Sequence, residues 1–323
     1  MNFWQNRSVF ITGATGLIGY HLTQALVDVG ALVTALVRDN DPQTELFRTA
    51  LYTKVAIVNG SLETDVVERV IVEQEIDTIF HLGAQTIVGR AKRHPLQTFE
   101  SNIRGTYLLL EAFRRQRDFV RTCIVASTDK AYGSSAKLPY TENTPLKGEY
   151  PYDVSKTCCD LIAQSYAKTY DLPLSIVRCG NIFGGGDLNF SRIVPGTIRS
   201  LLNGERPIIR SDGTLLRDYF YVKDAVSGYL QLAQSGVSNE AFNFGSTRPC
   251  TVLEITRKIS ELMESDLKPI ILDEASCEIK EQYLCCEKAK KILDWKPCYT
   301  LEEGLQETIA WYEAFIQKRL TLV

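Results

Sequence analysis

A turn with three glycines joins an apolar strand to a helix near the start of the chain. The strand is expected at residues 8–12, and the glycines follow it three positions apart, at Gly13, Gly16 and Gly19. Apolar residues at helical spacing come next, and Gly30 ends that helix. In this context backbone N–H groups can approach a pyrophosphate at a helix N-terminus. The turn therefore predicts a dinucleotide site, the alternative being an ordinary tight strand-to-helix turn.

Short apolar runs alternate with helical segments over the first 180 residues. The expected strands cover residues 8–12, 31–37, 55–58, 78–82, 122–126 and 174–178, and helices are expected at 103–113 and 156–170. Strands separated by helices pair in parallel, so the pattern predicts an α/β fold with a Rossmann-type, doubly wound sheet. We expect residues 1–180 to form a dinucleotide-binding domain. Residues 181–323 should form mainly a smaller substrate-binding lobe, with some later segments returning to the first domain and a final amphipathic helix at 301–315.

Composition and charge exclude several classes of protein. The net charge is −3 with both signs interleaved, which argues against the basic stripe that nucleic-acid-binding proteins use to neutralise phosphates. No apolar run approaches the roughly 18 residues that span a bilayer, so we expect a soluble, cytoplasmic protein that binds no membrane. The nine cysteines form no C-x-x-C pair and the three histidines lack metal-site spacing. These patterns predict reduced thiols and no metal site.

The end of the second expected strand bears on the choice of cofactor. An acid at this place usually holds the ribose hydroxyls of NAD, whereas a nearby Arg accommodates the extra phosphate of NADP. The chain offers both, as Arg38 and Asp39. Because Arg38 could also be a solvated loop charge, the sequence leaves NAD and NADP open.

The run YDVSK predicts an activated phenol. Tyr152 and Lys156 are four residues apart and would share one helix face, so the ammonium could lower the pKa of the phenol. Ser127 and Thr128 end a strand upstream. Together these side chains are typical of a base that works near neutral pH. The alternative is a surface helix with an exposed tyrosine.

Two ionisable residues, Asp129 and Lys130, follow Thr128 directly. They come just after a buried strand, at the carboxyl edge of the predicted sheet, where the ligand sites of such sheets lie. We interpret them as two proton-handling groups of the same site. The alternative is a salt bridge at the strand end that faces water.

Several longer runs carry a resemblance to a known family. They are FWQ (3–5), HLGAQ (81–85), NIRGT (102–106), STDK (127–130), PYDVSK (151–156) and GNIFGGGD (180–187). With the glycine turn, they resemble the extended short-chain dehydrogenase/reductases of the NAD-dependent epimerase/dehydratase family, and among these the CDP-glucose 4,6-dehydratases and their nearest relatives. The run RDYFYVKD (217–224) instead follows the general pattern of sugar epimerases and dehydratases, which leaves the nucleotide base open.

The resemblance implies a nucleotide-sugar 4,6-dehydratase that makes an NDP-4-keto-6-deoxyhexose with a tightly bound NAD or NADP. Once carbon 4 is oxidised, this reaction needs a base for the proton on carbon 5 and an acid for the hydroxyl on carbon 6. By the resemblance Asp129 is the acid, and Lys130 stands where other dehydratases have the base. The alternatives are a nucleotide-sugar 4-epimerase, which has no use for either residue, and a non-catalytic dinucleotide-binding sensor.

The resemblance also assigns roles by position. Thr128 would hydrogen-bond the 4-hydroxyl of the sugar, Tyr152 would take its proton, and Lys156 would hold the cofactor ribose. The residues implied to bind the cofactor are Gly13, Thr15, Gly16, Leu17, Ile18, Gly19, Arg38, Leu82, Ala84, Gln85, Asn102, Tyr152 and Lys156. Those implied to bind the nucleotide-sugar are Gln85, Asn181, Arg192 and Arg217, although either arginine could simply be solvated.

A homodimer is a further expectation from the family resemblance. Family members commonly dimerise through the helix near Asn102 and the helix that carries Tyr152. Leu108, Leu109 and Leu110 would fit such a contact. A monomer could bury the same leucines against its own sheet.

Overall fold

A parallel sheet forms the centre of the molecule. The computed structural model describes residues 2–274 and 278–320, and within these ranges the largest sheet has seven strands. Every neighbouring pair in it runs in parallel. Helices cover both faces, and the central strands are accordingly buried along almost their whole length. The predicted α/β fold with a Rossmann-type, doubly wound sheet is confirmed.

The strands are numbered in chain order. They are β1 (Ser8–Thr12), β2 (Leu32–Val37), β3 (Ala56–Asn59), β4 (Thr78–His81), β5 (Thr122–Ala126), β6 (Leu174–Cys179), β7 (Asn181–Phe183), β8 (Ile208–Ile209), β9 (Leu216–Arg217), β10 (Tyr219–Tyr221), β11 (Glu240–Phe244), β12 (Cys250–Thr251), β13 (Ile270–Ile271) and β14 (Glu281–Gln282).

The helices are numbered in the same way. They are α1 (Leu17–Asp28), α2 (Glu45–Arg48), α3 (Thr64–Glu73), α4 (Val88–Arg93), α5 (Pro95–Phe99), α6 (Gly105–Arg115), α7 (Pro151–Tyr170), α8 (Ile193–Leu202), α9 (Val222–Ser235), α10 (Val252–Leu262), α11 (Glu287–Leu293) and α12 (Leu301–Leu320). Short 3-10 helices occur at Leu51–Lys54 and Asp129–Tyr132.

The strand order places a ligand crevice beside the first strand. The order is β11-β6-β5-β4-β1-β2-β3, so the winding reverses between β1 and β4. In open α/β sheets the ligand lies outside the carboxyl ends of the strands at this point. The glycine turn follows β1, and residues 82–85 follow β4, so both segments border the same crevice.

The six predicted strands are observed with bounds within one residue of the predicted ones. The seventh, β11, was not predicted, and it comes from the part of the chain expected to form mainly the smaller lobe. It pairs with β6 at the edge of the sheet. This pairing supports the expected return of later segments to the first domain, and the domain division, including the boundary at residue 180, stays a prediction.

One long helical segment, residues 95–115, changes its hydrogen-bonding pattern in the middle. Helix α5 passes into a π-helical turn at Glu100–Arg104 and then into α6. Such turns are rare and occur frequently at functional sites. Asn102 lies within this turn, and it is almost completely buried.

The helix that carries Tyr152 starts earlier than predicted. Helix α7 begins at Pro151, which suits the first helical position because the N–H that proline lacks would have no helical partner there. Tyr152 therefore lies in the first turn. Lys156 lies one turn further along, and both side chains are buried.

The smaller lobe has its own apolar core, built by α8, α10 and α12 against short strands. As predicted, Leu305, Ile309 and Tyr312 of the last helix are buried in it. Trp311 of the same helix donates from Nε1 to Oε2 of Glu45, 3.0 Å away, on α2 beside the large sheet. The end of the chain thus contacts both lobes.

Two further observations concern the described residues. No helix in residues 2–274 and 278–320 is both long and apolar enough to cross a bilayer. The cysteines in these ranges are free thiols, and Cys277 lies outside the described residues.

Candidate active site

The glycine turn leaves no room for side chains. Gly13 has φ of +79°, and a Cβ added there would lie 2.8 Å from the backbone N of Gly83. A Cβ added at Gly19 would lie 2.0 Å from the carbonyl oxygen of Gly13. Glycine is therefore required at both positions, and the backbone N–H groups at the start of α1 stay open to an anion. This cradle fits the pyrophosphate of a dinucleotide.

Some of the other residues predicted to bind the cofactor lie around this cradle. Thr15, Leu17 and Ile18 belong to the turn and the first turn of α1, and each is half-buried. Leu82 and Ala84 follow β4, where the Thr12 hydroxyl accepts a hydrogen bond from the Gly83 N–H at 3.0 Å. The structure therefore brings these two segments together at the crevice, and their contact with a cofactor stays a prediction.

Asn102 fixes the loop after β4 from inside the protein. Its Oδ1 accepts from the Gln85 N–H at 2.7 Å, and its Nδ2 donates to the Gln85 carbonyl and to the Ser155 hydroxyl. Gln85 in turn donates from its own amide to Thr98. The amide of Asn102 is thus satisfied by protein atoms, and its direct contact with a cofactor stays a prediction.

Arg38 and Asp39 form an exposed pair after β2. The Arg38 Nε donates to the Asp39 carboxylate at 2.7 Å, and both side chains are about two-thirds exposed. Arg38 is therefore the solvated, partnered charge that the sequence left as an alternative, and a contact with a cofactor phosphate is untested.

Asp129 is a buried carboxyl group at the carboxyl end of β5. Its side chain is 1% exposed, and the hydroxyl of Thr128 donates to its Oδ1 at 3.1 Å. Its Oδ2 has no hydrogen-bond partner among the described residues, and neither does the hydroxyl of the neighbouring Ser127. Burial raises the pKa of Asp129, although Lys130 and Thr128 oppose the shift. The alternative of a water-facing salt bridge is wrong, and burial shifts the carboxyl group of Asp129 toward its protonated form.

Tyr152 is buried beside the same carboxyl group. It is 8% exposed, which excludes the alternative of an exposed tyrosine. Burial raises the pKa of its phenol above the usual range, Asp129 raises it further, and Arg192 and Thr128 oppose the shift. The structure thus brings Thr128, Asp129 and Tyr152 together.

The pKa of Tyr152 is raised, whereas the sequence predicted that Lys156 would lower it. The Nζ of Lys156 donates to the backbone carbonyl of Ala126 at 2.6 Å, and burial lowers the pKa of the ammonium. For the phenol, burial dominates, so the direction of its shift is opposite to the predicted one. The carbonyl of Ala126 fixes Lys156 at the end of β5, next to the crevice.

Lys130 lies half-buried in the 3-10 turn after Thr128. Its Nζ donates to the side-chain carbonyl of Gln282 at 3.1 Å. It also lowers the pKa of both Asp129 and Asp153, which places it among the carboxyl groups of the site.

The residues predicted to bind the nucleotide-sugar differ in their surroundings. Arg217 is 5% exposed and donates to the Glu278 carboxylate at 3.0 Å, so it is not the solvated arginine left as an alternative. Arg192 is 40% exposed and donates to Asp187 at 2.9 Å. Asn181 is half-buried at the start of β7. Gln85 is occupied in holding its own loop.

Asp153 is a site residue that the sequence analysis missed. It is 3% exposed, and its carboxylate accepts from the backbone N–H of Tyr150 at the start of α7. Burial raises its pKa to about 6, with Asp129 adding to the shift and Lys130 opposing it. The pattern that could have revealed it is an acid within YDVSK, directly after the tyrosine in the first turn of a helix.

Replacing Asp153 with Asn should stabilise the fold at neutral pH. In the folded protein the pKa of Asp153 is about 6, above the usual value of 3.8, so ionisation is less favourable in the folded chain than in the unfolded one. The free energy of unfolding is therefore highest at low pH and falls as the pH rises from 3.8 to about 6. Each pH unit of that interval is worth about 1.4 kcal/mol, so we expect a gain of about 3 kcal/mol at pH 7.5 and none below pH ~3.5.

Urea unfolding of the Asp153→Asn variant across this pH range measures the gain. Asp118→Asn, at an exposed turn, is the control. It should change the free energy of unfolding by the same small amount at every pH. A variant Asp153→Asn that is less stable than the unchanged protein at pH 7.5 would show that the ionised carboxylate is favourable in the fold.

Among the described residues no group of three His, Cys, Asp or Glu side chains could hold a metal ion.

Comparisons with known proteins agree with this geometry. The family model described as GDP-mannose 4,6 dehydratase matches residues 10–308. The CDP-glucose 4,6-dehydratase of Salmonella typhimurium is 30% identical over 98% of this chain and 93% of its own length.

Solved structures show the same fold. The dTDP-glucose 4,6-dehydratase of Bacillus anthracis in complex with NAD superimposes with a TM-score of 0.86 at 26% identity, covering 95% of this chain and 97% of that one. The UDP-glucose 4-epimerase of Thermotoga maritima with UDP-glucose superimposes with a TM-score of 0.89 at 28% identity, covering 96% and 99%. The fold alone therefore does not separate dehydratases from epimerases. The family model and the curated relative do, and they confirm the predicted enzyme class, a nucleotide-sugar 4,6-dehydratase. The chain belongs to the GDP-mannose 4,6 dehydratase family.

Proposed function

We propose that the protein oxidises carbon 4 of a nucleoside-diphosphate hexose to a ketone, which the product keeps, and removes water across carbons 5 and 6. The observation that carries the proposal is Asp129, a carboxyl group that is 1% exposed and has an oxygen without a partner among the described residues. It lies beside Thr128 and Tyr152 at the crevice. A 4-epimerase needs the phenol but has no step for a second buried acid.

A tightly bound NAD is the proposed cofactor. When bound, it supplies the oxidation at carbon 4 and the later reduction at carbon 6. Gly13, Gly16 and Gly19 would hold its pyrophosphate, and Lys156 would hold the ribose next to Tyr152. NAD is favoured over NADP because the charge of Arg38 is already neutralised by Asp39. The Bacillus anthracis relative was likewise solved with NAD.

The proton transfers fall to three side chains. Tyr152 takes the proton of the 4-hydroxyl, which Thr128 orients. Asp129 then gives its proton to the 6-hydroxyl so that it leaves as water, a role that suits a carboxyl group whose burial favours the protonated form. Lys130, next to Asp129, stands at the place of the base for the proton on carbon 5, and it would take that proton as the neutral amine, after giving up the proton of its resting ammonium form.

The nucleotide and the diphosphate are proposed to lie against the smaller lobe. Arg217 is buried, and a guanidinium there can form a charge-assisted contact with a phosphate. Arg192, Asn181 and Gln85 are the other proposed contacts. A cytidine nucleotide is the first candidate because the Salmonella typhimurium relative is a CDP-glucose enzyme.

The proposed working form is a cytoplasmic homodimer. Leu109 and Leu110 cannot form its interface, because both are fully buried in the chain's own core, as the monomer alternative anticipated. The exposed apolar residues on α6 and α7 are Tyr107, Leu161 and Tyr170. Tyr107 and Leu161, with Leu96 nearby on α5, are the proposed contacts.

Incubation with CDP-, GDP-, UDP- and dTDP-hexoses, followed by mass spectrometry, tests the proposal. We expect a product that has lost one water from one of these substrates, and NAD released when the protein is denatured. A product of unchanged mass but altered sugar configuration would establish the epimerase instead. If every substrate stays unchanged although NAD is bound, the sensor alternative gains support.

A further inference from the structure

Gln282 lies next to the site on a strand that the sequence did not connect with chemistry. Strand β14 pairs in parallel with β9, and Gln282 lies opposite Arg217. The side chain of Gln282 is fully buried. The smaller lobe therefore carries this amide beside the arginine proposed to meet the diphosphate.

The amide of Gln282 holds the ammonium of Lys130. The Nζ of Lys130 donates to the Oε1 of Gln282 at 3.1 Å, between residues 152 positions apart in the chain. An ammonium has three donors and no acceptor, so the amide must turn its oxygen toward it. Lys130 has no salt-bridge partner among the described residues, and this amide is the group that fixes its head.

The charges around Lys130 explain why this contact matters. Asp129 lies beside it in the same turn, and Asp153 lies close to it on α7, since Lys130 lowers the pKa of both carboxyl groups. Arg217, which is paired with Glu278 on the smaller lobe, also lowers the pKa of Asp129. A long lysine side chain without a neutral acceptor would pair with one of these carboxylates. Pairing of Lys130 with Asp129 would favour the ionised form of Asp129. Asp129 would then have no proton to give to the 6-hydroxyl.

We propose that Gln282 is a positioning residue for the elimination of water: its amide oxygen keeps the Lys130 ammonium beside Asp129 but unpaired with it. The inference rests on the proposed function and adds a residue to it. It also gives the smaller lobe a direct part in the chemistry, because the acid and the lysine belong to the large lobe.

Three variants test the proposal. Gln282→Met keeps the volume and loses the acceptor, Gln282→Glu keeps an oxygen acceptor, and Glu281→Gln on the same strand is the control. We expect Gln282→Met to lower kcat about 100-fold with little change in KM, since a group misplaced by about 1 Å can cost that much. Gln282→Glu should recover part of the loss, and Glu281→Gln should change neither constant.

The pH profile separates positioning from mere structural support. In Gln282→Met, Lys130 is free to pair with Asp129, so the alkaline limb of kcat should move to lower pH. In Gln282→Glu the new carboxylate retains Lys130, and the limb should not move down. An unmoved limb in Gln282→Met, or a change in KM alone, overturns the proposal.

A double-mutant cycle and a labelling experiment complete the test. In a Lys130→Met background, Gln282→Met should cause no further loss, whereas additive losses would contradict the coupling. Acetylation of Lys130, followed by peptide mass spectrometry, needs no turnover. It should be slower in Gln282→Met than in Glu281→Gln, because an ion pair with the Asp129 carboxylate keeps the amine charged and unreactive. Equal or faster labelling overturns the positioning role even if dehydration occurs. Slower labelling without any dehydration by the unchanged protein refutes the proposed function alone.

Discussion

Replacing Tyr152 with Phe is expected to reduce turnover of the nucleotide-sugar by about 100- to 10,000-fold, the range usual for losing a general acid or base. The phenol is buried beside Thr128 and Asp129, and phenylalanine fills the same space without a group that could take the 4-hydroxyl proton. Substrate affinity should change little, because the predicted phosphate contacts lie elsewhere. Product formation by mass spectrometry and binding by calorimetry measure the two effects.

The matched control for this substitution is Tyr166→Phe. Tyr166 lies on the same helix α7, half-buried, and its hydroxyl contacts Glu111 away from the crevice. We expect this variant to turn over substrate at the normal rate. If Tyr152→Phe also retains normal turnover, the phenol is not the base, and the assignment of the whole site must be abandoned.

Replacing Asp129 with Asn is expected to stop the loss of water while leaving the first oxidation intact. The amide has nearly the same shape but cannot give a proton to the leaving 6-hydroxyl, so dehydration should fall by about 100-fold or more. Because Tyr152 and Thr128 are untouched, the near-ultraviolet absorbance of the reduced nicotinamide should appear on mixing with substrate and then persist. Rapid mixing for the absorbance and mass spectrometry for the product distinguish the two steps.

A second buried carboxyl group provides the control for that variant. Asp224 on α9 is 2% exposed and accepts from the backbone N–H groups of Cys298 and Tyr299, so Asp224→Asn also removes a buried charge. The Asp224→Asn variant should change the free energy of unfolding and leave the distribution of products unchanged. If Asp129→Asn releases dehydrated sugar at the normal rate, another group is the acid, and the burial of Asp129 beside Tyr152 needs a different explanation.

The large sheet was predictable because its strands are short apolar runs separated by helices, a local pattern. Strand β11 was missed for the opposite reason. Its sequence EAFNF contains Asn243, a residue that disfavours strands, and here the Asn243 side chain accepts from the Tyr132 hydroxyl at 2.7 Å. That contact between residues 111 positions apart exists only in the folded chain. Tertiary contacts thus override the local preference.

The residues of the site likewise divide into those that a local sequence pattern reveals and those that only the folded structure reveals. The glycine turn and the pair Tyr152 and Lys156 depend on local spacing, and the structure brings them to one crevice. Gln282 depends on the register of β14 with β9, which no spacing in the sequence reveals. The pKa of Tyr152 was predicted in the wrong direction because the sequence shows its charged neighbour but not how deeply the phenol is buried.

The tail of the molecule has a consequence for cofactor exchange. Trp311 bonds to Glu45 beside the large sheet, packs so closely on Gly185 that a Cβ there would lie 2.4 Å from its ring, and is followed by Tyr312, whose hydroxyl donates to the carbonyl of Asp187. Any hinge-like opening of the two lobes would have to break these contacts. We therefore expect the last helix to slow the exchange of a bound dinucleotide wherever exchange requires such an opening.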